Sequence, residues 1–103
     1  MLQNFRTYQL ALTFYQDCKK VRVPFHLKDQ LLRASSSIAL NLAEGSAKPT
    51  HKDRMKFYRI ALGSLREVQA IISLEQISEL EKKADILGAF LYKLTHSLSG
   101  TAP

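Results

Sequence analysis

Four glycines and three prolines are the only strong helix breakers in a chain of 103 residues, and their scarcity constrains the fold more than any other feature. A sandwich or barrel needs a turn at every strand end, whereas a few long helices need few. A long two-stranded coiled coil is excluded as well, because Pro24, Gly45 and Pro49 each interrupt the helix continuity it requires. At this length one domain is expected, and a small one leaves so much surface wet that oligomerisation is a natural supplement.

Apolar spacing then predicts four helices, at about 7–21, 26–44, 50–75 and 79–98. In the first, Leu10, Ala11, Phe14, Cys18 and Val21 share one face, with Tyr8, Leu12 and Tyr15 beside it. Pro24 ends this run and pushes Val23 toward extended backbone. The second carries Leu27, Leu31, Ala34, Ser35, Ile38 and Leu42, and its small residues invite a close neighbour. Gly45 is read as its left-handed C-cap. Thr50 and Asp53 form a capping box for the third helix. From Met55 to Ile72 its apolar positions cover an arc of roughly 200°, more than a surface helix needs, which predicts a central helix or one that also meets another subunit. Ser78 to Glu81 reads as a second capping box. After it, Leu80, Ala84, Leu87, Leu91, Leu94 and Leu98 continue by threes and fours to a frayed end at Gly100 and Pro103. Short connections make consecutive helices antiparallel, so the expected fold is an all-α, up-down-up-down four-helix bundle.

Most chemistry finds no foothold. His26, His51 and His96 have no partners at metal-ligand spacing, so no metal is expected. Cys18 lies on an apolar face, where a thiol behaves as a small hydrophobe, and a single cysteine suits a reducing cytoplasm. Ser35, Ser36 and Ser37 lack a paired base. The stretch Gly45 to Thr50 lacks the second glycine and the ending of a P-loop. Neither a cofactor nor an enzymatic activity is therefore expected. No apolar run is long enough to span a membrane, and the first residues do not read as a signal peptide.

Charge is the one informative feature. The chain carries a formal net charge of +6. Residues 1–66 hold 12 basic against 4 acidic side chains, and residues 67–103 hold 3 against 5. On the third helix Lys52, Lys56, Arg59 and Arg66 fall within an arc of roughly 80° opposite the apolar side, with Lys48 just before them. Lys19, Lys20 and Arg22 close the first helix. Such a row matches the footprint of a protein that binds phosphate backbones, RNA or DNA, with little sequence selectivity. A solvated helix face is the plain alternative. A protein-only scaffold is the other function to weigh, holding an acidic partner through the same cations or through Tyr8 and Tyr15.

Two stretches resemble a known bacterial family. Leu27 to Gly45, with Ser37-Ile38-Ala39-Leu40-Asn41-Leu42-Ala43-Glu44-Gly45 at its end, is similar to the second helix of the four-helix-bundle proteins encoded in 23S ribosomal RNA intervening sequences. The family string S-I-x-x-N-I-A-E-G is met with Leu42 in place of its isoleucine. Phe57 to Glu67 is similar to the family's third helix. The resemblance implies a ring-like homopentamer without catalytic activity. A related branch, the accessory proteins of diversity-generating retroelements, implies binding to nucleic acid and to a reverse transcriptase. Asn41, Glu44 and Gly45 match the second-helix motif and are read as structural, the first two bonding to loop or neighbouring-helix groups. Gly63 and Ser64 match the third and are expected to permit close helix approach.

Overall fold

The computed structural model describes residues 2–96. A 3-10 turn (Leu2–Asn4) leads into four helices: α1 (Arg6–Lys20), α2 (Phe25–Ser46), α3 (His51–Glu75) and α4 (Ser78–Thr95). They form the antiparallel bundle, and no strand occurs among the described residues. The 25 residues of α3 span about 37 Å at 1.5 Å per residue, close to the 40 Å long axis of the molecule. Leu98, Gly100 and Pro103, assigned above to the end of the fourth helix, lie outside the described residues.

α3 packs most extensively on α2 and then on α4, and α2 is engaged just as fully, between α3 and α1; α1 also meets α4, more thinly. The buried face of α3, with Met55, Tyr58, Ala61, Leu65, Val68, Ile71 and Ile72, explains the wide apolar arc within one chain. Phe14, Leu31, Ile38, Leu42, Leu65, Leu87, Leu91 and Leu94 fill the rest of the interior. Phe5, ahead of the first predicted helix, is also buried; its ring meets that of Tyr58 edge-on, with centroids 5.9 Å apart.

The helix ends show where local signals were overridden. Thr50 caps α3 as expected, its hydroxyl accepting from the Asp53 N–H at 3.2 Å. Gly45 is not a left-handed cap: α2 runs through it to Ser46, and Ala47 ends the helix in right-handed backbone (φ −86°). Ser78 is not a cap either. It is the first residue of α4, and Ile77 stands before it with no side-chain cap. The turn is set from the other side, by Gln76 in left-handed conformation (φ 53°). The Gln76 and Ile77 N–H groups both donate to the Ile72 carbonyl, a Schellman-type ending that buries Ile77. Glu79 and Glu81 still lie in the first turn, where the helix dipole favours them.

Candidate functional site

α3 displays its cations because its other faces are occupied. Apolar side chains recurring every three or four residues turn inward, so Lys52, Lys56, Arg59 and Arg66 all emerge exposed on the outer side. None of the four has a carboxylate within ion-pair distance among the described residues. Arg66 donates to the Gln69 side-chain oxygen at 2.8 Å, a neutral contact that leaves its charge intact. Lys56 lies 5.8 Å from the centre of the Phe57 ring, within reach of the ring's negative face.

Lys48 is more engaged. Its ammonium is 3.1 Å from Glu44 and 5.1 Å from the Phe57 ring centre, and its carbonyl accepts from Arg54 at 3.1 Å. Arg54, half-buried, is a cation that helical spacing alone did not single out. Its nearness holds the Tyr58 phenol down slightly, but burial dominates and raises that pKa.

The second cluster is not brought together with the first. Lys19, Lys20 and Arg22 are exposed where α1 turns into α2, and Lys48, Lys52 and Lys56 sit where α2 turns into α3, at the opposite end of the bundle. Lys28 reaches back from α2 and donates to the Lys19 carbonyl at 2.9 Å and to the Val21 carbonyl. It thereby holds the end of α1 and adds its charge to that cluster. Lys19 itself lies 5.6 Å from the Tyr15 ring centre.

Of the motif residues on α2, Glu44 bonds to the loop as expected, whereas Asn41 bonds within its own helix and reaches α3 only through the Ser37 hydroxyl. Asn41 donates to the Ser37 carbonyl at 2.9 Å and to its hydroxyl at 3.0 Å. That hydroxyl is 2.9 Å from the hydroxyl of Ser64 on α3. Glu44 is exposed and pairs with Lys48 of the loop. A Cβ on Gly45 would come within 2.8 Å of the Tyr58 ring and 3.0 Å of Phe57 Cβ, so this glycine lets α3 close on α2. Gly63 does no such thing: a Cβ there would meet nothing within 4 Å. The close-approach role expected of it belongs instead to Gly88, whose Cβ would lie 3.3 Å from Leu65. The sequence pattern of the 23S rRNA-intervening sequence proteins matches residues 3–93. The chain belongs to that family. In this member of the 23S rRNA-intervening sequence family, the second-helix string thus builds the contact between α2 and α3. Among curated proteins and solved structures, nothing gives a significant match.

Other chemistry-bearing groups are placed as follows. Cys18 is fully buried, and desolvation pushes its thiol up to about 11 despite the Ser35 hydroxyl beside it, so at neutral pH it is a protonated core side chain. Ser36 and Ser35 bond back to carbonyls of their own helix. No three His, Cys, Asp or Glu side chains gather among the described residues. No helix of the described residues is long and apolar enough to cross a membrane.

Proposed function

We propose that this protein is a non-catalytic, oligomeric adaptor that binds RNA or DNA through its basic helical faces with little sequence selectivity. The observation that carries the reading is the unneutralised row Lys52, Lys56, Arg59 and Arg66 along α3. Four exposed cations on one rigid rod attract a polyanion, and displaced counterions drive the binding. Lys48 supports the row at its start. Lys19, Lys20 and Arg22 form a second contact at the far end, suited to a strand that follows the length of the bundle.

The family context supports assembly as a homopentamer. Leu40 and Ile60, 68% and 45% exposed on α2 and α3, are suited to cover by a neighbouring copy. A ring repeats the +6 charge of each subunit, so weak single sites act together by avidity. This reading leaves room for a protein partner, such as the reverse transcriptase of the related retroelement branch. The proposed location is the cytoplasm, where an unpaired thiol stays reduced.

Exchange of all four α3 cations for glutamate tests the reading. Binding of labelled RNA and DNA at low salt is expected to vanish while the helical circular-dichroism signal stays. For the unaltered protein, log affinity should fall with log salt by roughly 0.7 to 0.9 per phosphate neutralised. Light scattering should give about five times the 11.7 kDa subunit mass. A second reading, a protein-only scaffold, holds an acidic partner through the same cations; Tyr8 and Tyr15, the aromatic contacts expected for it, are half-buried, whereas Phe25 and Leu74 are 88% and 73% exposed. It predicts partner capture that survives nuclease treatment, with no binding of labelled RNA or DNA.

A further inference from the structure

At the end of α4 the rings of Tyr92 and His96 stack face to face, with centroids 3.8 Å apart and planes 19° from parallel. The His96 Nδ1–H donates to the Tyr92 carbonyl at 2.8 Å, and the Thr95 hydroxyl lies 3.1 Å from the same nitrogen. The imidazole is thus fixed on one edge. The pair is not part of the core, because α4 buries Leu80, Ala84, Leu87, Gly88, Leu91, Leu94 and Thr95, whereas Tyr92 is 53% exposed. A stacked pair leaves the outer face of each ring open, and an open aromatic face next to cations is what an unpaired base occupies.

The register of α4 on α3 sets which cations flank the seam at this level. A Cβ on Gly88 would meet Leu65 at 3.3 Å and the side-chain nitrogen of Gln69 at 3.7 Å, and this fixes the register of α4 on α3. The helices are antiparallel, so Tyr92, one turn beyond Gly88, lies level with Ala61 to Leu65. His96, another turn on, lies level with Phe57 to Ala61, which includes Arg59. At about 100° per residue, Arg66 and Arg59 lie roughly 60° and 80° round α3 from Gln69, on the flank between the outer side and α4. Tyr92 lies roughly 40° round α4 from Gly88, and His96 roughly 80°. Arg66 is tied to this seam directly, since its guanidinium bonds to the same Gln69. Charge changes sign farther along, where Glu81 and Asp85 line a recess with Gln69, Ile72, Ser73 and Ala84. A polyanion is therefore directed to the Tyr92 end of the seam.

We propose that the Tyr92–His96 stack is a base-binding platform, and that the α3–α4 seam takes a single-stranded polynucleotide, one base on the platform and its phosphates along Arg59 and Arg66. This rests on the nucleic-acid reading above and narrows it, since a duplex keeps its bases stacked on each other and gains nothing from the platform.

The test compares labelled 12-nucleotide single-stranded RNA, single-stranded DNA and a 12-base-pair duplex, with the wild type, Tyr92→Ala, Tyr92→Phe and the four-glutamate variant of α3. Tyr92→Ala should weaken single-strand binding by roughly five- to hundredfold, the range for loss of one stacked base. It should leave duplex affinity and the salt slope unchanged. Tyr92→Phe keeps the ring and should bind like the wild type, and whichever single strand loses more identifies the sugar the seam prefers. Single-strand affinity unchanged in Tyr92→Ala, or weakened equally for the duplex, overturns the platform while leaving the cation row standing. Wild-type protein that binds no probe overturns both.

Discussion

The seam between α2 and α3 and the seam between α1 and α4 are built from opposite materials. In the first, Gly45 lies under the Tyr58 ring, Ser37 and Ser64 share a hydrogen bond, and Ala34, Ile38, Ala39 and Leu42 are buried behind them. In the second, Leu10, Thr13, Phe14, Asp17, Lys83, Ile86 and Leu87 line an open groove of about 140 Å³, with Ile86 still 42% exposed. Among the described residues one ion pair, Lys83 to Asp17 at 2.8 Å, crosses it. Small residues let two backbones approach until dispersion contacts are saturated; branched side chains hold them apart and leave gaps that forfeit those contacts. A four-residue loop also joins α2 to α3, whereas α1 and α4 meet only through the tertiary fold. The bundle should therefore be strong on the side that carries the family string and yielding on the side that closes last.

The sharpest way to break this contrast is to cut equal side chains from the two seams. Leu42→Ala removes a fully buried side chain of α2 and should destabilise by about 2–5 kcal/mol, a large share of the ~5–15 kcal/mol a domain commands. Leu10→Ala, at a half-buried groove position, should lose well under half as much. Urea unfolding followed by circular dichroism measures both, and equal losses would mean that the α1–α4 groove is as well packed as the other seam.

Gly45→Ala probes the close approach itself. A methyl there meets the Tyr58 ring and Phe57 Cβ, and overpacking of about 1–3 kcal/mol outweighs the ~1 kcal/mol that alanine gains in helix propensity. A net loss of up to about 2 kcal/mol is expected from the same unfolding curves, and a stabilised variant would show that α3 does not close on this glycine.

How much of this was legible beforehand depended on the range of the interaction. The four helices and the outward row from Lys52 to Arg66 follow from spacing within single helices, so periodicity alone reaches them, and the short connections supply the antiparallel order. Gly45 was misassigned because a glycine near a helix end looks the same whether it supplies left-handed backbone or makes room for Tyr58, a residue of another helix. Gly63 and Gly88 show the same ambiguity: both are mid-helix glycines, and only the register of α3 on its neighbours tells which one is packed. The pairing Ser78 with Glu81 has the letters of a capping box, but burial of Ile77 and the left-handed Gln76 determine that turn. Lys48 and Arg54 likewise needed three dimensions, since their partners Glu44, Phe57 and the Lys48 carbonyl converge only around the loop. Tyr92 and His96 are one helical turn apart in the sequence, but nothing in the spacing marks their rings as stacked on an exposed face of α4.

Gly63→Ala is the control for the crowded seam. With nothing within 4 Å of the new methyl, only helix propensity changes, and stability should rise by up to about 1 kcal/mol. A loss there would mean that the outer face of α3 is already covered, as assembly with neighbouring copies would require, and a dependence of that loss on protein concentration would identify such cover.

The smallest effect should come from the ion pair that spans the loose seam. Lys83 is 54% exposed and Asp17 18%, so solvent screens the pair and its worth is about 0.2–1 kcal/mol. A double-mutant cycle of Lys83→Ala and Asp17→Ala isolates that coupling from the packing that each aliphatic stem contributes to the groove. Raising the salt to 1 M shortens the screening length to about 3 Å and should erase the coupling. Leu42→Ala, by contrast, should lose as much stability at high salt as at low. A coupling that survives high salt would mean that the groove excludes water around Asp17, and the α1–α4 side would then be held together more tightly than its open geometry implies.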